Sequence, residues 1–217
     1  MRVLIALLGA LLLSGCQAAD PLSAAQDRHS PWWDLRFTGP SYMRGEVEES
    51  IVEDINGRLF QRLGGGGVGT GDPGDGTESA RGWGRVSGNG RAVTGADLPR
   101  RIFVRWQSVV EPQTYRAWVD IPEEARQIMR KSTARRCSTN PEADSPYMAA
   151  VILGLAPGGV VQAWVWDECL RPVKVARAQA EVEPLGPHLG KSGGHYYPQS
   201  DASKRYIERF GIPYGSW

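Results

Sequence analysis

Cysteine and histidine are scarce in this sequence, and their scarcity removes most metal and thiol chemistry. The 217 residues include three cysteines and three histidines. His29, His188 and His195 are scattered in loop-like stretches and form no recognisable ligand pair. A zinc site at Cys137 and Cys169 would need two more cysteine or histidine ligands at suitable spacing. We therefore expect no metal and no cofactor.

The sequence also lacks an excess of charge of either sign. It contains 25 Lys and Arg against 24 Asp and Glu. Loss of the first fifteen residues, whose only charged side chain is Arg2, would leave 24 of each. A nucleic-acid partner demands a basic surface. The charge balance therefore predicts a protein without a nucleic-acid partner.

Long apolar runs are absent except at the N-terminus. There, Arg2 precedes an uninterrupted small and apolar run from Val3 to Leu13. A membrane-spanning helix needs about 20 apolar residues, so this run is too short to span a bilayer. A positive residue followed by a short apolar run is typical of a secretory signal peptide.

The apolar run ends in Leu13-Ser14-Gly15-Cys16, and this spacing predicts a lipoprotein. Small residues let a signal peptidase approach the backbone after Gly15, and the Cys16 thiol takes up the lipid. Acyl chains hold a protein on a membrane, because each buried methylene contributes about 0.8 kcal/mol. Gln17 is not the aspartate that usually retains lipoproteins at the inner membrane. We predict a signal peptide at 1–15, a lipidated tether at 16–30, and attachment to the periplasmic face of the outer membrane.

Two cysteines remain after the lipid anchor, Cys137 and Cys169. In an oxidising periplasm such a leftover pair most often forms a disulfide, which would stabilise the fold by about 3 to 4 kcal/mol in the chain-entropy model. The alternatives are a metal site or a reactive thiol at Cys137, which Arg135 and Arg136 would activate.

Period-two alternation predicts antiparallel hairpins in the second half of the chain. Residues 102–106 and 115–121 flank a turn at Glu111-Pro112-Gln113. Residues 147–155 and 160–167 flank Ala156-Pro157-Gly158-Gly159, in which proline fixes the first central turn position and glycine permits a positive φ at the next. A further strand is predicted over Lys174 to Glu183.

Helices are predicted from period-four patterns and from capping residues. Pro122 begins one whose acidic start and basic end suit the helix dipole. Ser200 or Asp201 caps another, which ends at Phe210 before Gly211. The recurrence of Ile51, Ile55, Leu59 and Leu63 favours a third over Glu46 to Leu63.

These elements predict a single α+β domain over residues 31–217, dominated by an antiparallel sheet or sandwich, with two or three short helices. A flexible loop is expected at 64–76, because its glycines bury too little apolar surface to offset their backbone entropy. We expect no catalytic residue. Gly69 to Gly74 fits a dinucleotide fingerprint only formally, since neither a preceding strand nor a following helix is predicted.

Eight tryptophans are present, and Trp is enriched at interface hot spots. Four lie in predicted strands, where core packing is expected: Trp106, Trp118, Trp164 and Trp166. The other four lie near termini or loops and are the candidates for contact with a partner: Trp32, Trp33, Trp83 and Trp217.

A set of residues in the second half carries a family resemblance: Leu98 to Ser108, then Tyr115, Pro122 and Met129, then Gly154 to Gly159 and Trp164. In these residues the chain resembles uncharacterised proteobacterial lipoproteins that look like periplasmic immunity proteins of type VI secretion effectors, including phospholipases. The resemblance covers roughly residues 95 to 217 and does not include residues 31–94. It implies a secreted protein toxin as partner and brings no catalytic residues.

The leading hypothesis is therefore a lipid-anchored immunity protein that binds and neutralises a type VI secretion effector, with a phospholipase-like toxin favoured. An envelope structural or assembly lipoprotein without a toxin partner is the alternative. A degradative enzyme that uses Cys137 or His195 is a third hypothesis.

Overall fold

The computed structural model describes residues 33–69, 80–84, 86–132, 149–167 and 171–217. In these residues the chain forms ten β-strands and two α-helices. The elements are β1 (Asp34–Thr38), β2 (Gly45–Asp54), β3 (Leu59–Val68), β4 (Asn89–Ala92), β5 (Pro99–Ser108), β6 (Gln113–Asp120), α1 (Glu123–Ser132), β7 (Ala149–Ala156), β8 (Val160–Asp167), β9 (Val173–Gln179), β10 (Glu181–Val182) and α2 (Asp201–Phe210).

The strands make two five-stranded sheets. Sheet A has the order β4-β1-β7-β8-β9, and sheet B has the order β10-β6-β5-β2-β3. Every pairing is antiparallel except that of β1 with β7, which is parallel. The prediction of a sheet-dominated α+β fold is confirmed.

The main core lies between the two sheets. Alternate residues of β7, Val151, Leu153 and Leu155, face it from sheet A, and Ile102 and Val104 of β5 face it from sheet B. All five side chains are at most 2% exposed. Burial of this inter-sheet layer stabilises the fold by about 25 cal/mol per Å² of apolar area removed from water.

A second apolar cluster covers the other face of sheet A. Ala150 and Ile152 of β7 and Trp164 of β8 contact it from the sheet, and Tyr206 of α2 contacts it from outside. Tyr206 stacks on Tyr42 with ring centroids 4.3 Å apart. Because both faces of β7 are covered, all eight of its residues are buried.

Gly154 shows why a glycine is needed in the middle of β7. A Cβ atom at this position would lie 2.5 Å from a ring carbon of Trp83 and 2.6 Å from one of Trp164. These two rings pack edge to face with their centroids 5.1 Å apart. The close approach of the tryptophans to the sheet therefore depends on the missing side chain.

The two predicted hairpins and both capped helices are confirmed. β5 pairs with β6, and β7 pairs with β8 across the predicted turn, where Gly158 has a φ of 76°. In α2, the Ser200 hydroxyl accepts from the Ser203 backbone N–H, and Gly211 has a φ of 72°. Local sequence therefore determines these elements.

The predicted helix over Glu46 to Leu63 is wrong. These residues form most of β2 and the beginning of β3, which pair with each other, and β2 also pairs with β5. The flexible loop predicted at 64–76 is wrong in its first residues, since Gly64 to Val68 belong to β3. Strand pairing supplies the hydrogen bonds that hold these glycines, and residues 70–76 lie outside the described residues.

The predicted strand over Lys174 to Glu183 is interrupted. Ala180 separates β9 from β10, and the two belong to different sheets. The chain therefore passes from sheet A to sheet B at Ala180 and covers that side of the sandwich, as strands do at the corners of packed sheets.

Asp54 organises the turn between β2 and β3. Its carboxylate is fully buried and accepts hydrogen bonds from the backbone N–H groups of Asn56, Arg58 and Asp97 at 2.9 to 3.1 Å. The Arg58 guanidinium lies 2.7 Å away. Burial by itself would raise the pKa of Asp54, but the hydrogen bonds from Arg58, Asp97 and Asn56 outweigh it, and the pKa lies below its ordinary value.

Replacing Asp54 with asparagine is expected to lower the free energy of unfolding by about 2 kcal/mol at neutral pH. The folded-state pKa lies below the unfolded-state value, so the unfolded state binds more protons in acid. The wild-type carboxylate thus contributes stability above the unfolded-state pKa, and this contribution is lost as the pH falls through the folded-state pKa. Urea unfolding should show the two proteins converging below about pH 4. A constant difference from neutral pH into acid would contradict this account.

Candidate protein-binding surface

Three apolar side chains lie side by side on the outer face of sheet B. Ile51 of β2 is in register with Phe103 of β5, and Phe103 is in register with Trp118 of β6. The Phe103 and Trp118 rings have centroids 5.4 Å apart. We name Ile51, Phe103 and Trp118 the apolar stripe. It crosses three neighbouring strands of sheet B.

Trp118 is the most exposed member of the stripe, at 39%, whereas Ile51 and Phe103 are partly buried. The guanidinium carbon of Arg101 lies 4.3 Å from the centroid of its ring, in a cation–π contact. Arg101 is itself held by Glu53, whose carboxylate oxygen lies 2.7 Å away. The indole is therefore held in one orientation before any partner arrives.

Charged pairs border the stripe on both sides. On one side Glu53 also pairs with Arg100, at 3.2 Å. On the other side Arg105 pairs with Glu48 at 3.0 Å and with Glu49 at 2.7 Å. An apolar centre with a charged rim is the usual anatomy of a protein–protein interface.

Glu48 is a buried carboxylate in this region, with its side chain 1% exposed. One carboxylate oxygen pairs with Arg105, and the other accepts from the Gln107 side-chain amide at 2.8 Å and from the His188 backbone N–H at 2.7 Å. A buried carboxylate needs such a complete set of partners to offset its desolvation. Glu48 thereby joins sheet B to the segment that follows β10.

That segment, residues 184–198, is named the anchored loop. His188 and Leu189 have φ values of 52° and 54°, a left-handed conformation that side chains rarely adopt. Strain of this kind costs about 1 to 3 kcal/mol per residue and persists only where surrounding contacts impose it. The hydrogen bond from the His188 backbone N–H to Glu48 holds the loop beside these two residues. The hydrogen bond from the Tyr197 backbone N–H to the Gln107 side chain, at 3.3 Å, holds the other end of the loop.

The anchored loop presents several apolar groups to solvent. Leu185 is 61% exposed, Leu189 39% and Tyr197 40%. Glu183, just before the loop, accepts a hydrogen bond from Arg116 of β6, which lies two residues before Trp118 on the same face of the strand. The loop therefore packs on the same outer face as the apolar stripe and enlarges the candidate surface.

Glu46 is a second partly buried carboxyl beside the loop. Burial raises its pKa above the ordinary value, while the nearby charges of Arg44 and His188 act in the opposite direction. Arg44 lies 3.8 Å from this carboxylate and donates to the Pro198 carbonyl oxygen at 3.4 Å. Charged groups of β2 and its preceding turn therefore hold the far end of the loop as well.

The tryptophans predicted to contact a partner do not lie on this surface. Trp33, Trp83 and Trp217 are only 0%, 8% and 6% exposed. Trp33 belongs to the inter-sheet core, and the other two belong to the cluster outside sheet A. The prediction that these three side chains are available for contact with a partner is wrong, because a position near a loop or a terminus does not prevent burial. Trp32 lies outside the described residues.

Trp118, which the sequence assigned to the core, is instead 39% exposed on the outer face of sheet B. The alternation of β6 could have indicated this exposure. Tyr115, Ala117 and Val119 are buried on one face, and Trp118 shares the opposite face with Arg116. Trp106 and Trp164 are buried as predicted, at 1% and 2% exposure. Trp166 is partly buried against the cluster outside sheet A.

The lipid predicted on Cys16 and the disulfide predicted between Cys137 and Cys169 fall on residues outside the described ranges. Within the described ranges, no group of three or more His, Cys, Asp or Glu side chains is placed to hold a metal ion. In the same part of the chain, no helix has both the length and the apolar character that crossing a membrane requires.

A family described as "Protein of unknown function (DUF2931)" matches residues 21–215. The chain belongs to the DUF2931 family. The DUF2931 match begins well before residue 95, so it extends beyond the second half that carries the resemblance and includes residues 31–94. No curated protein and no solved structure matches the sequence.

Proposed function

We propose that this DUF2931 protein is a lipid-anchored binding protein of the cell envelope that captures a protein partner on the outer face of sheet B. The observation that carries the proposal is the apolar stripe, in which Trp118 is oriented by Arg101 and bordered by paired charges. Trp and Arg are the residues most enriched among interface hot spots. An indole that is already fixed loses little conformational entropy on binding.

The partner that we propose is an antibacterial effector of type VI secretion, with a phospholipase-like toxin favoured. The support is the resemblance carried by the second half of the chain, together with the lipoprotein signal that ends at Cys16. A tether at the periplasmic face of the outer membrane would raise the local concentration of the inhibitor where a lipid-directed toxin acts. The protein would neutralise the toxin by blocking its active site or its access to the membrane.

Competition between sister cells tests this proposal. Deletion of the gene is expected to make cells sensitive to the secretion-competent parent, and the wild-type gene should restore resistance. Deletion cells that stay fully resistant would overturn the immunity role.

A pull-down with a soluble Cys16→Ser chain, combined with mass spectrometry, identifies the partner in the same strain. One secreted toxin in stoichiometric amount supports immunity. Recovery of resident envelope proteins alone would favour the structural or assembly role instead.

A further inference from the structure

One side of the sandwich is open. On the far side the chain crosses between sheets at Ala180, but β3 and β4, the edge strands on the near side, leave a cavity of about 420 Å³ between the sheets. This volume falls within the range of roughly 300 to 1,000 Å³ that is usual for small-molecule sites. We name this cavity the open-edge cleft.

The floor of the open-edge cleft is apolar and comes from both sheets. Leu35 and Phe37 of β1 line it from sheet A, and Val52 and Phe60 line it from sheet B. Leu35, Phe37 and Val52 are members of the inter-sheet core, and Phe60 packs against that core. An apolar group in the cleft would therefore continue the core of the protein.

Two arginines, Arg62 and Arg91, line the open-edge cleft at the open side of the core. Arg62 of β3 is in register with Ser50, which is in register with the fully buried Val104. Arg91 of β4 is in register with Leu35, a core residue. Directly opposed residues point to the same face of a sheet, so both arginines project from the inner faces of edge strands into the mouth of the cleft.

The glycines of β3 add no side chains to the mouth of the cleft. A Cβ atom built at Gly64 or Gly66 would meet nothing within 4 Å, which shows open space along β3. At Gly65 a Cβ atom would lie 2.7 Å from the Val47 side chain, so β3 lies directly against the core there. The glycine run thus brings the strand close to the core and leaves the entrance unobstructed.

The charge in the cleft has one sign. Arg62 and Arg91 are both exposed, and no Asp or Glu is among the described residues that line the cavity. Neither arginine has an ion-pair partner in the described part of the chain. Guanidinium groups bind carboxylates and phosphates through paired hydrogen bonds.

We propose that the open-edge cleft binds an amphiphilic anion, with its apolar chain between the two sheets and its carboxylate or phosphate on Arg62 and Arg91. The shared chemistry is that of a fatty acid or a single-chain phospholipid. The cleft opens at an edge between the sheets, whereas the apolar stripe lies on the outer face of sheet B. The site therefore does not depend on the proposed effector binding.

Inward-pointing charges on edge strands also have a purely protective use, because they prevent edge-to-edge pairing with another chain. That alternative predicts no ligand. It also predicts that neutralising Arg62 and Arg91 causes association of the protein and nothing else.

Calorimetric titration tests the proposal with a chain that lacks residues 1–16, since every described residue lies after residue 32. The probes are decanoate, decyl phosphate, decanol and inorganic phosphate. We expect decanoate and decyl phosphate to bind with 1:1 stoichiometry and at least about tenfold more tightly than decanol, and inorganic phosphate alone not to bind. The tighter of the two anions indicates whether a carboxylate or a phosphate headgroup is the natural one.

The double variant Arg62→Gln/Arg91→Gln is expected to reduce the affinity for decanoate to that for decanol. Arg205→Gln, which removes an exposed arginine of α2, is the matched control and should change neither affinity. Val93→Trp, which fills the cleft, should abolish binding of all the amphiphiles while thermal unfolding shows a folded protein.

Equal affinities for decanoate and decanol in the wild type would overturn the role of the arginines. Inorganic phosphate that bound as tightly as decyl phosphate would overturn the role of the apolar floor. Absence of any binding, with association of the double variant in sedimentation, would establish edge protection instead.

Discussion

Replacing Glu48 with alanine is expected to lower the free energy of unfolding by about 3 to 5 kcal/mol. The change leaves the buried Arg105 without one of its two carboxylate partners and leaves the Gln107 amide and the His188 backbone N–H without their acceptor. For a chain of this length the melting temperature should fall by on the order of 10 °C. Urea unfolding and calorimetry measure both quantities.

The same variant should release the anchored loop before it unfolds the protein. His188 and Leu189 keep their left-handed conformation because Glu48 holds the His188 backbone, so its loss lets both residues relax. Hydrogen exchange of residues 186–198 should accelerate, while the amides of β7 keep their protection.

Glu208→Ala is the matched control for Glu48→Ala, since Glu208 is exposed on α2. It should change the stability by no more than about 0.5 kcal/mol and should leave the loop exchange unaltered. A Glu48→Ala protein as stable as this control would contradict the account of the buried network.

Replacing Trp118 with alanine is expected to weaken binding of the proposed partner by about 30-fold to 1,000-fold, or 2 to 4 kcal/mol. The indole is the most exposed member of the apolar stripe, and its removal also takes away the cation–π partner of Arg101. Folding should suffer much less, because the side chain stays 39% exposed in the folded protein. Affinity for the captured effector and protection of sister cells are the two measurements.

Tyr214→Ala provides the matched aromatic control for Trp118→Ala. Tyr214 is 59% exposed, but it lies at the turn end of the sandwich, where its hydroxyl donates to Glu111 at 2.8 Å. Burial and this carboxylate raise its pKa to about 12, so the hydroxyl stays protonated at neutral pH. The control should retain full affinity. Equal losses in the two variants would show that the partner does not bind through the apolar stripe.

Short-range signals account for the elements that the sequence predicted well. The turn at Pro157 and Gly158 and the caps at Ser200 and Gly211 depend on the conformational preferences of a few adjacent residues. Alternation in β5 and β6 predicted a hairpin for the same reason, because neighbouring residues suffice to define both faces of a strand. These elements need no distant contact to specify them.

Long-range strand pairing explains why the helix predicted over Glu46 to Leu63 and the first residues of the predicted loop at 64–76 were wrong. Ile51, Ile55 and Leu59 recur at a helical interval, yet Ile51 pairs across β2 and β5 with Phe103, more than fifty positions away. Gly64 to Gly67 favour disorder in isolation, but β2 supplies the strand partner that orders them. A local pattern carries no information about which distant strand will satisfy its hydrogen bonds.

The sequence by itself predicted the lipoprotein signal at Cys16, the hairpins, the helix ends and the alternation of β6. Only the tertiary structure decided which tryptophans are buried, that Glu48 holds the anchored loop, and that Arg62 and Arg91 share one cleft. The physical reason is that burial and charge pairing depend on the packing of two sheets. Residues distant in sequence become neighbours only when those sheets meet.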